Sequence, residues 1–253
     1  MTFESKIVII TGASSGIGAG AAIHFSKLGA NIVITGRNEI NLKEIQEKCG
    51  SKVLAIVADV NDEADRHKII NSTIENFGRI DVLVNNAGVG EAGTILTTSL
   101  EQYDKVMNTN VRSVFHLTQL ATPYLIKTRG NIVNVSSVAG PRQFPNLLSY
   151  CMSKAALDQF TKCVALELAP EGVRVNSINP AFIVTNFHKR LGMNEEAYES
   201  FKLRAKETHA LGRVGTTEET ANAIAFLANN DLASFITGTC LLVDGGKAVM
   251  CPR

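Results

Sequence analysis

The stretch of sequence that decides the fold is KIVIITGASSGIG, residues 6–18. A short β-branched run, typical of a buried strand, leads into a turn with glycines at positions 12, 16 and 18, and apolar residues then recur at helical spacing. Such glycines let backbone N–H groups at a helix start approach a pyrophosphate closely. The spacing is G-x-x-x-G-x-G rather than G-x-G-x-x-G, and glycine-rich turns also have structural roles. The position after the first strand favours a dinucleotide site.

Strand-like and helix-like segments alternate along the rest of the chain. Strands separated by helices of this length indicate βαβ units, which have right-handed crossovers and form a parallel sheet. The strands are almost continuously apolar, as expected for an α/β sheet covered on both faces. The pattern predicts strands near 6–11, 31–35, 52–57, 81–84, 130–137, 172–178 and 239–243, and helices near 16–28, 39–48, 62–77, 99–127 (broken near 108), 149–169 and 217–228.

Size and composition favour one domain and exclude several function classes. No linker or repeat divides the chain, so residues 1–253 are interpreted as one dinucleotide-binding and catalytic domain. The net charge of +1 gives no indication of nucleic-acid or membrane binding, and the first residues enter a strand directly, without room for a signal peptide. Five cysteines without Cys-x-x-Cys spacing indicate reduced thiols in the cytoplasm, and no metal site is expected.

The second informative pattern is Tyr150 and Lys154, which follow a Ser137 that ends an apolar strand. Positions i and i+4 share one helix face, so a phenol and an ammonium point the same way. The cation is expected to lower the pKa of Tyr150, so that the phenol exchanges a proton with an alcohol or carbonyl near neutral pH. Ser137 would hold the carbonyl oxygen at the carboxyl end of its strand. A surface pair without function is the alternative.

The Tyr-x-x-x-Lys spacing recurs at Tyr198 and Lys202. This copy lies in a polar stretch without a preceding strand, and it is interpreted as a solvated helix face. The stretch belongs to residues 185–215, which break the alternation of strands and helices. We predict that this region is a lid over a pocket, with an amphipathic helical insertion as the alternative.

Cofactor preference is predicted from Gly36 and Arg37, at the end of the second strand. An acidic residue here would bind the ribose diol of NAD and repel a 2′-phosphate, whereas a guanidinium suits a phosphate dianion. We therefore expect NADP(H), with NAD(H) possible if Arg37 is only solvated surface. Asp59 and Val60 end the third strand, beside the expected position of the adenine.

Together these motifs resemble the short-chain dehydrogenase/reductase family, in its single-domain branch, over nearly the whole chain. The similarity is to members such as 3-oxoacyl-acyl-carrier-protein reductases and carbonyl reductases. It implies a Rossmann-like, doubly wound parallel sheet of about seven strands with helices on both faces. It also implies an oxidoreductase that interconverts a ketone or aldehyde and an alcohol. The motifs that carry the resemblance are Thr11–Gly18, Asp59-Val60, Asn85–Gly88, Asn110, Ser137, Tyr150 with Lys154, Asn179-Pro180 and Leu242–Gly246.

The resemblance further implies roles for individual residues. Tyr150 would be the general acid in carbonyl reduction and the base in alcohol oxidation, and Ser137 would position the substrate oxygen. Lys154 would lower the Tyr150 pKa and bind the nicotinamide ribose, while Asn110 would hold a water that links Lys154 to solvent. Many members of the family have glycine at the position of Ala181, and the alanine methyl group would narrow the nicotinamide side of the pocket. The implied cofactor-binding residues are Gly12, Ser14, Ser15, Gly16, Ile17, Gly18, Arg37, Asp59, Val60, Asn86, Ala87, Gly88, Tyr150, Lys154, Pro180, Ile183 and Thr185.

Partners and substrate are less constrained by the sequence. The helices near 99–127 and 149–169 are apolar over more than one face, which, with the family resemblance, predicts a homotetramer; deep burial in a monomer is the alternative. Steroids, isoprenoids, quinones, diketones and acyl thioesters all remain open as substrates, and Lys127 and Arg129 could meet an acidic carrier protein. A non-catalytic dinucleotide-binding protein is the alternative function, disfavoured by the complete Asn/Ser/Tyr/Lys set. Candidate pocket residues, which suggest an apolar or mixed ketone, are Val89, Ala139, Phe144, Ala181, Phe182 and Phe187.

Overall fold

The computed structural model describes residues 1–50 and 52–250, and it contains one seven-stranded sheet. The strands are β1 (Ile7–Thr11), β2 (Asn31–Gly36), β3 (Val53–Val57), β4 (Val82–Asn85), β5 (Asn131–Val135), β6 (Arg174–Pro180) and β7 (Cys240–Val243). Their order is β3-β2-β1-β4-β5-β6-β7, and every neighbouring pair is parallel. The predicted doubly wound parallel sheet is confirmed.

Nine α-helices are found in the described part of the chain, and most of them cover the two faces of the sheet. They are α1 (Gly16–Lys27), α2 (Glu39–Cys49), α3 (Glu63–Phe77), α4 (Leu100–Met107), α5 (Ser113–Thr128), α6 (Leu148–Leu168), α7 (Phe187–Arg190), α8 (Glu195–Thr208) and α9 (Thr217–Ala228). The predicted break near Asn108 is confirmed as a π-helical turn, Asn108–Arg112, between α4 and α5. Such turns are frequent at functional sites.

The core lies in two layers because successive strand residues point to opposite faces. In β1, Val8 and Ile10 pack with α1, α2 and α9, whereas Ile7 and Ile9 pack with α3 and α5. All four side chains are buried. Local signals fix the helix starts: Ser99 forms a capping box with Gln102, and Asp62 accepts a hydrogen bond from the Asp65 backbone. The sheet is therefore rigidly held, and its loops can carry a site.

The region 185–215 contains α7 and α8. The prediction that Tyr198 lies on a solvated helix face is wrong. Its ring is buried against Phe182, with ring centroids 5.9 Å apart, and its hydroxyl donates a hydrogen bond to the Thr185 carbonyl at 3.1 Å. The reason is that Tyr198 and Ala205, both on α8, pack in a small apolar cluster with Phe182, so this face of the helix does not project into solvent. The region is thus an amphipathic helical insertion, and its service as a lid stays a prediction.

Candidate active site

A cavity of about 300 Å³ opens at the carboxyl ends of the strands. β1 pairs with β2 on one side and with β4 on the other, so the order of the strands reverses at β1. Open parallel sheets bind ligands in the crevice at such a switch point. Two predicted site residues, Gly18 and Asn110, do not line the cavity. The predicted residues that line it are Gly12, Ser14, Ser15, Gly16, Ile17, Arg37, Asp59, Val60, Asn86, Ala87, Gly88, Ser137, Tyr150, Lys154, Pro180, Ile183 and Thr185.

The start of α1 fits an anionic group. Ser15 is its N-cap, yet the Ser15 side chain makes no capping hydrogen bond, and the first turn holds no acidic residue. Gly12 has a φ of +64°, and a β-carbon there would lie 2.8 Å from the Ala87 Cα. A β-carbon on Gly18 would lie 2.4 Å from the Asn86 amide nitrogen. The glycines therefore allow a close turn whose helix N-terminus faces the cavity, which suits a pyrophosphate.

Ser137, Tyr150 and Lys154 converge on the other half of the cavity. Ser137 follows β5, while Tyr150 and Lys154 lie in the first two turns of α6. The Lys154 side chain is buried, its Nζ donates to the Val135 carbonyl at 2.8 Å, and it lies 5.6 Å from the centre of the Tyr150 ring. The sequence spacing therefore does place the phenol and the ammonium on one helix face.

The expectation that the Tyr150 pKa lies below its usual value is wrong for the free protein, because burial dominates. Burial raises the pKa of Tyr150 to about 12, and the opposing hydrogen bond with the Ser137 hydroxyl is weaker than that effect. Burial also lowers the pKa of Lys154 to about 8, against the attraction of the Asp158 carboxylate. The physical reason is that desolvation disfavours both charged forms, and the ammonium is bonded to a backbone carbonyl. The phenol is therefore protonated and able to donate near neutral pH.

Asn110 is held by the π-helical turn beside this group. Its amide nitrogen donates to the Val89 carbonyl at 2.8 Å and to the Ser153 hydroxyl at 2.9 Å, and its oxygen accepts from the Val89 backbone N–H at 2.9 Å. Asn110 is therefore a buried tie between the loop after β4 and α6. The role of Asn110 in holding a water stays a prediction.

Sequence reasoning missed Asp158, one helical turn after Lys154. The Asn179 amide nitrogen donates to the Asp158 carboxylate at 2.9 and 3.0 Å and to the Ser137 carbonyl at 2.9 Å. The network joins α6, the end of β6 and the loop that carries Ser137. Its signal in the sequence is the i+4 spacing, which puts Asp158 on the same helix face as Lys154.

The adenine end of the cavity holds an ion pair. Arg37 Nη1 lies 3.6 Å from an Asp59 carboxylate oxygen, and the Arg37 side chain is two-thirds exposed. The guanidinium is free to turn toward a ligand, because exposed ion pairs of this length contribute little stability. Asn61 and Thr109 also line this end, joined by a hydrogen bond of 3.1 Å. Neither of these two residues was predicted from the sequence.

The substrate end is bordered by apolar side chains, and all six candidate pocket residues line the cavity. The rings of Tyr150 and Phe187 lie 5.5 Å apart, which places α7 against the phenol. Lys247 also lines this cavity and was not predicted. By contrast, Lys127 and Arg129 lie at the amino end of β5, opposite the end where Ser137 follows. Within one chain they do not border the cavity, so it gives no support for their contact with a carrier protein.

The described residues include one group with the composition of a metal site. Glu63 and His67 have i,i+4 spacing on α3, which the sequence analysis overlooked, and His116 approaches from α5; their ligand atoms lie within 4.8 Å of one another. Arg66 Nε donates to His116 Nδ1 at 2.7 Å. That bond occupies one of the two imidazole nitrogens of His116, Nδ1, and places a positive charge beside the group. These three residues do not line the cavity, so we assign them no part in its chemistry.

Comparison with known proteins gives relatives over nearly the whole chain. The family described as enoyl-(acyl carrier protein) reductase matches residues 12–248. A 3-oxoacyl-[acyl-carrier-protein] reductase of Thermotoga maritima is 38% identical over 98% of this chain and 100% of its own length. A meso-2,3-butanediol dehydrogenase of Serratia marcescens is also 38% identical, over 97% of this chain and 96% of its own.

Solved structures show the same architecture. A short-chain dehydrogenase/reductase of unknown function from Caenorhabditis elegans, with cofactor, superposes with a TM-score of 0.93 and 41% identity over 98% of this chain and 97% of its own. A 3-ketoacyl-(acyl-carrier-protein) reductase of Brucella melitensis, complexed with NADH, gives a TM-score of 0.91 and 32% identity over 98% of this chain and all of its own. None of the helices described here combines the length and the apolar character that a membrane crossing requires.

Proposed function

This chain belongs to the short-chain dehydrogenase/reductase family and acts as an oxidoreductase on carbonyl and alcohol groups with NAD(P); from that premise we propose that it prefers NADP(H) and that Tyr150 is its general acid and base. The observation that carries the proposal is the convergence of Ser137, Tyr150 and a buried Lys154 on one cavity. A non-catalytic dinucleotide-binding protein would not require a phenol beside a buried ammonium at that place. The experiment that tests it is the measurement of carbonyl reduction by the Tyr150→Phe variant.

The proposed chemistry begins with a carbonyl oxygen that accepts hydrogen bonds from the Ser137 and Tyr150 hydroxyls. The nicotinamide cofactor, when bound, supplies or accepts the hydride at the carbonyl carbon. In reduction, the Tyr150 O–H gives its proton to the carbonyl oxygen, and Lys154 stabilises the negative charge that develops on the phenol. In oxidation the alcohol hydroxyl gives its proton back to the Tyr150 oxygen. The raised pKa of Tyr150 supports this assignment, because it keeps the donor protonated before the reaction.

The cofactor would lie across the switch point between β1 and β4. We assign its pyrophosphate to the start of α1, its adenine to the wall formed by Asp59 and Val60, and its nicotinamide to the side of Pro180, Ile183 and Thr185. Arg37 would contact a 2′-phosphate. The exposure of the Arg37 guanidinium supports this role, because a phosphate dianion offers it a stronger partner than one carboxylate at 3.6 Å.

Replacement of Arg37 by Ala tests the cofactor preference. We expect the KM for NADPH to rise about 10- to 100-fold, the loss of a charge-assisted contact, while the KM for NADH changes little. Steady-state assays with both cofactors measure this, and Lys43→Ala, an exposed cation on α2, is the matched control. Equal losses with both cofactors would remove Arg37 from the selection of the 2′-phosphate.

We also propose a homotetramer in which the outer faces of α5 and α6 are covered. Phe115 on α5 is 54% exposed, and Met152 and Leu166 on α6 are 45% and 80% exposed. Apolar side chains this exposed on neighbouring helices support an interface. Light scattering at micromolar protein is expected to give a mass of four chains of 27.2 kDa. A single species with the mass of one chain would contradict the proposal.

Two further proposals concern the extent of the catalytic domain and its location in the cell. We propose that residues 1–253 act as one catalytic domain and that 185–215 closes over the cavity, since Thr185, Phe187 and Leu191 line it. The described cysteines, Cys49, Cys151, Cys163 and Cys240, are free thiols, which supports a cytoplasmic location; Cys251 lies outside the described residues.

A further inference from the structure

Lys247 brings a positive charge to an otherwise apolar part of the cavity. It follows β7 and the glycine pair Gly245-Gly246, and its side chain is half-buried at the cavity wall. The ammonium lies 5.9 Å from the centre of the Phe144 ring and donates to the Thr208 hydroxyl at 3.2 Å. Phe144, in the loop after Ser137, belongs to the substrate end and not to the cofactor end.

No carboxylate among the described residues lies within 4 Å of this ammonium. The nearby Asp244 carboxylate instead accepts hydrogen bonds from the backbone N–H groups of Gly246 and Ala248, at 2.9 and 2.6 Å. Asp59, the one acidic side chain among the described lining residues, lies at the adenine end. The charge of Lys247 is therefore not neutralised by a direct ion pair within the described chain.

A second cation lies directly behind Lys247. The Arg142 guanidinium donates to the Lys247 carbonyl at 2.5 Å, and its positive charge also acts on the ammonium. Burial, followed by repulsion from Arg142, lowers the pKa of Lys247. The Asp244 carboxylate opposes this shift but does not outweigh it, and an anionic ligand group would relieve the remaining cost.

We propose that the substrate carries an anionic group, a carboxylate or a group of similar charge, at the end of an apolar segment, and that Lys247 binds this group with the help of Arg142. The inference rests on the proposed function, because it places the reacting carbonyl at Tyr150. The apolar walls between the two sites, formed by side chains such as Phe144, Leu147 and Phe187, would accept the spacer. An oxo acid is the simplest compound with these three parts.

Paired substrates test the proposal. Straight-chain oxo acids of increasing length are compared with their methyl esters, which keep the carbonyl and the spacer but lack the charge. We expect the enzyme to prefer one length of acid over its ester at least about tenfold, mainly through KM. Lys247→Met should reduce that preference about tenfold, through a higher KM for the acid, while Lys247→Arg should retain it. Lys48→Met, an exposed lysine on α2, is the matched control.

The outcomes separate this inference from the proposed function. If esters and neutral ketones are reduced as well as the acids, or if Lys247→Met leaves the ratio unchanged, the inference is overturned and the proposed function stands. If no carbonyl compound is turned over, the proposed function fails, and calorimetry with non-reducible straight-chain carboxylates decides the anion site alone. Binding that weakens at least tenfold in Lys247→Met supports the site, and equal binding overturns it. Phosphonate and sulfonate analogues show which anionic group binds best.

Discussion

Tyr150→Phe is expected to lower kcat for carbonyl reduction by about 10²- to 10⁴-fold, the range that a positioned proton donor contributes. The hydroxyl is the only part removed, and the ring keeps its contacts with Phe187 and with the Lys154 ammonium. NADPH binding should therefore change by no more than a few fold. Single-turnover absorbance of NADPH measures the chemical step, and titration of its fluorescence measures the affinity.

The matched control for this prediction is Tyr124→Phe. Tyr124 lies on α5, is half-buried and has a lysine ammonium 5.6 Å from its ring centre, as Tyr150 does, but it does not line the cavity. Its loss should leave kcat unchanged. If Tyr150→Phe kept the wild-type rate on a substrate that the enzyme reduces efficiently, the proton would have to come from another group. If neither the wild type nor the variant turned over any carbonyl compound, the alternative of a non-catalytic binding protein would apply.

The parts of the fold that the sequence predicts well are those determined by local patterns. The apolar run of β1 and the glycine turn after it specify a strand, a turn and a helix without reference to distant residues. The sequence predicts the break near Asn108. It does not predict the π-helical form, because that depends on Asn110 being bonded to Ser153 and to the loop after β4.

The predictions that are wrong depend on burial by distant segments. Tyr150 and Lys154 have the predicted spacing, yet the direction of the Tyr150 pKa is set by how much water the surrounding loops exclude. Tyr198 lies in a polar sequence but is buried, since α8 folds back over Phe182. Lys247 carries no local sign of its place in the cavity. In each case the missing information is which remote side chains cover the residue.

Lys154→Met is expected to lower kcat/KM about 10²- to 10³-fold, because it removes the charge that stabilises the phenolate formed in reduction and a proposed contact to the nicotinamide ribose. The fold should be retained. Burial already lowers the pKa of Lys154 to about 8, so the buried ammonium costs free energy that a neutral side chain of similar length does not. Asp158 keeps its two hydrogen bonds from Asn179, so its carboxyl group is not left without partners.

Two pH measurements distinguish the proposed role of Lys154 from a purely structural one. If the ammonium binds the ribose, NADPH affinity in the wild type falls as pH rises through about 8, where the free enzyme loses that proton, and the fall is absent in Lys154→Met.

The contribution of Lys154 to folding stability changes with pH in the opposite direction. Between about 8 and the unperturbed value of 10.5 the unfolded chain binds more protons than the folded one at this residue, so its contribution to wild-type stability rises with pH. The variant lacks both effects. Loss of the stability difference without any change in the pH dependence of cofactor affinity would mean that Lys154 supports the fold and does not touch the cofactor.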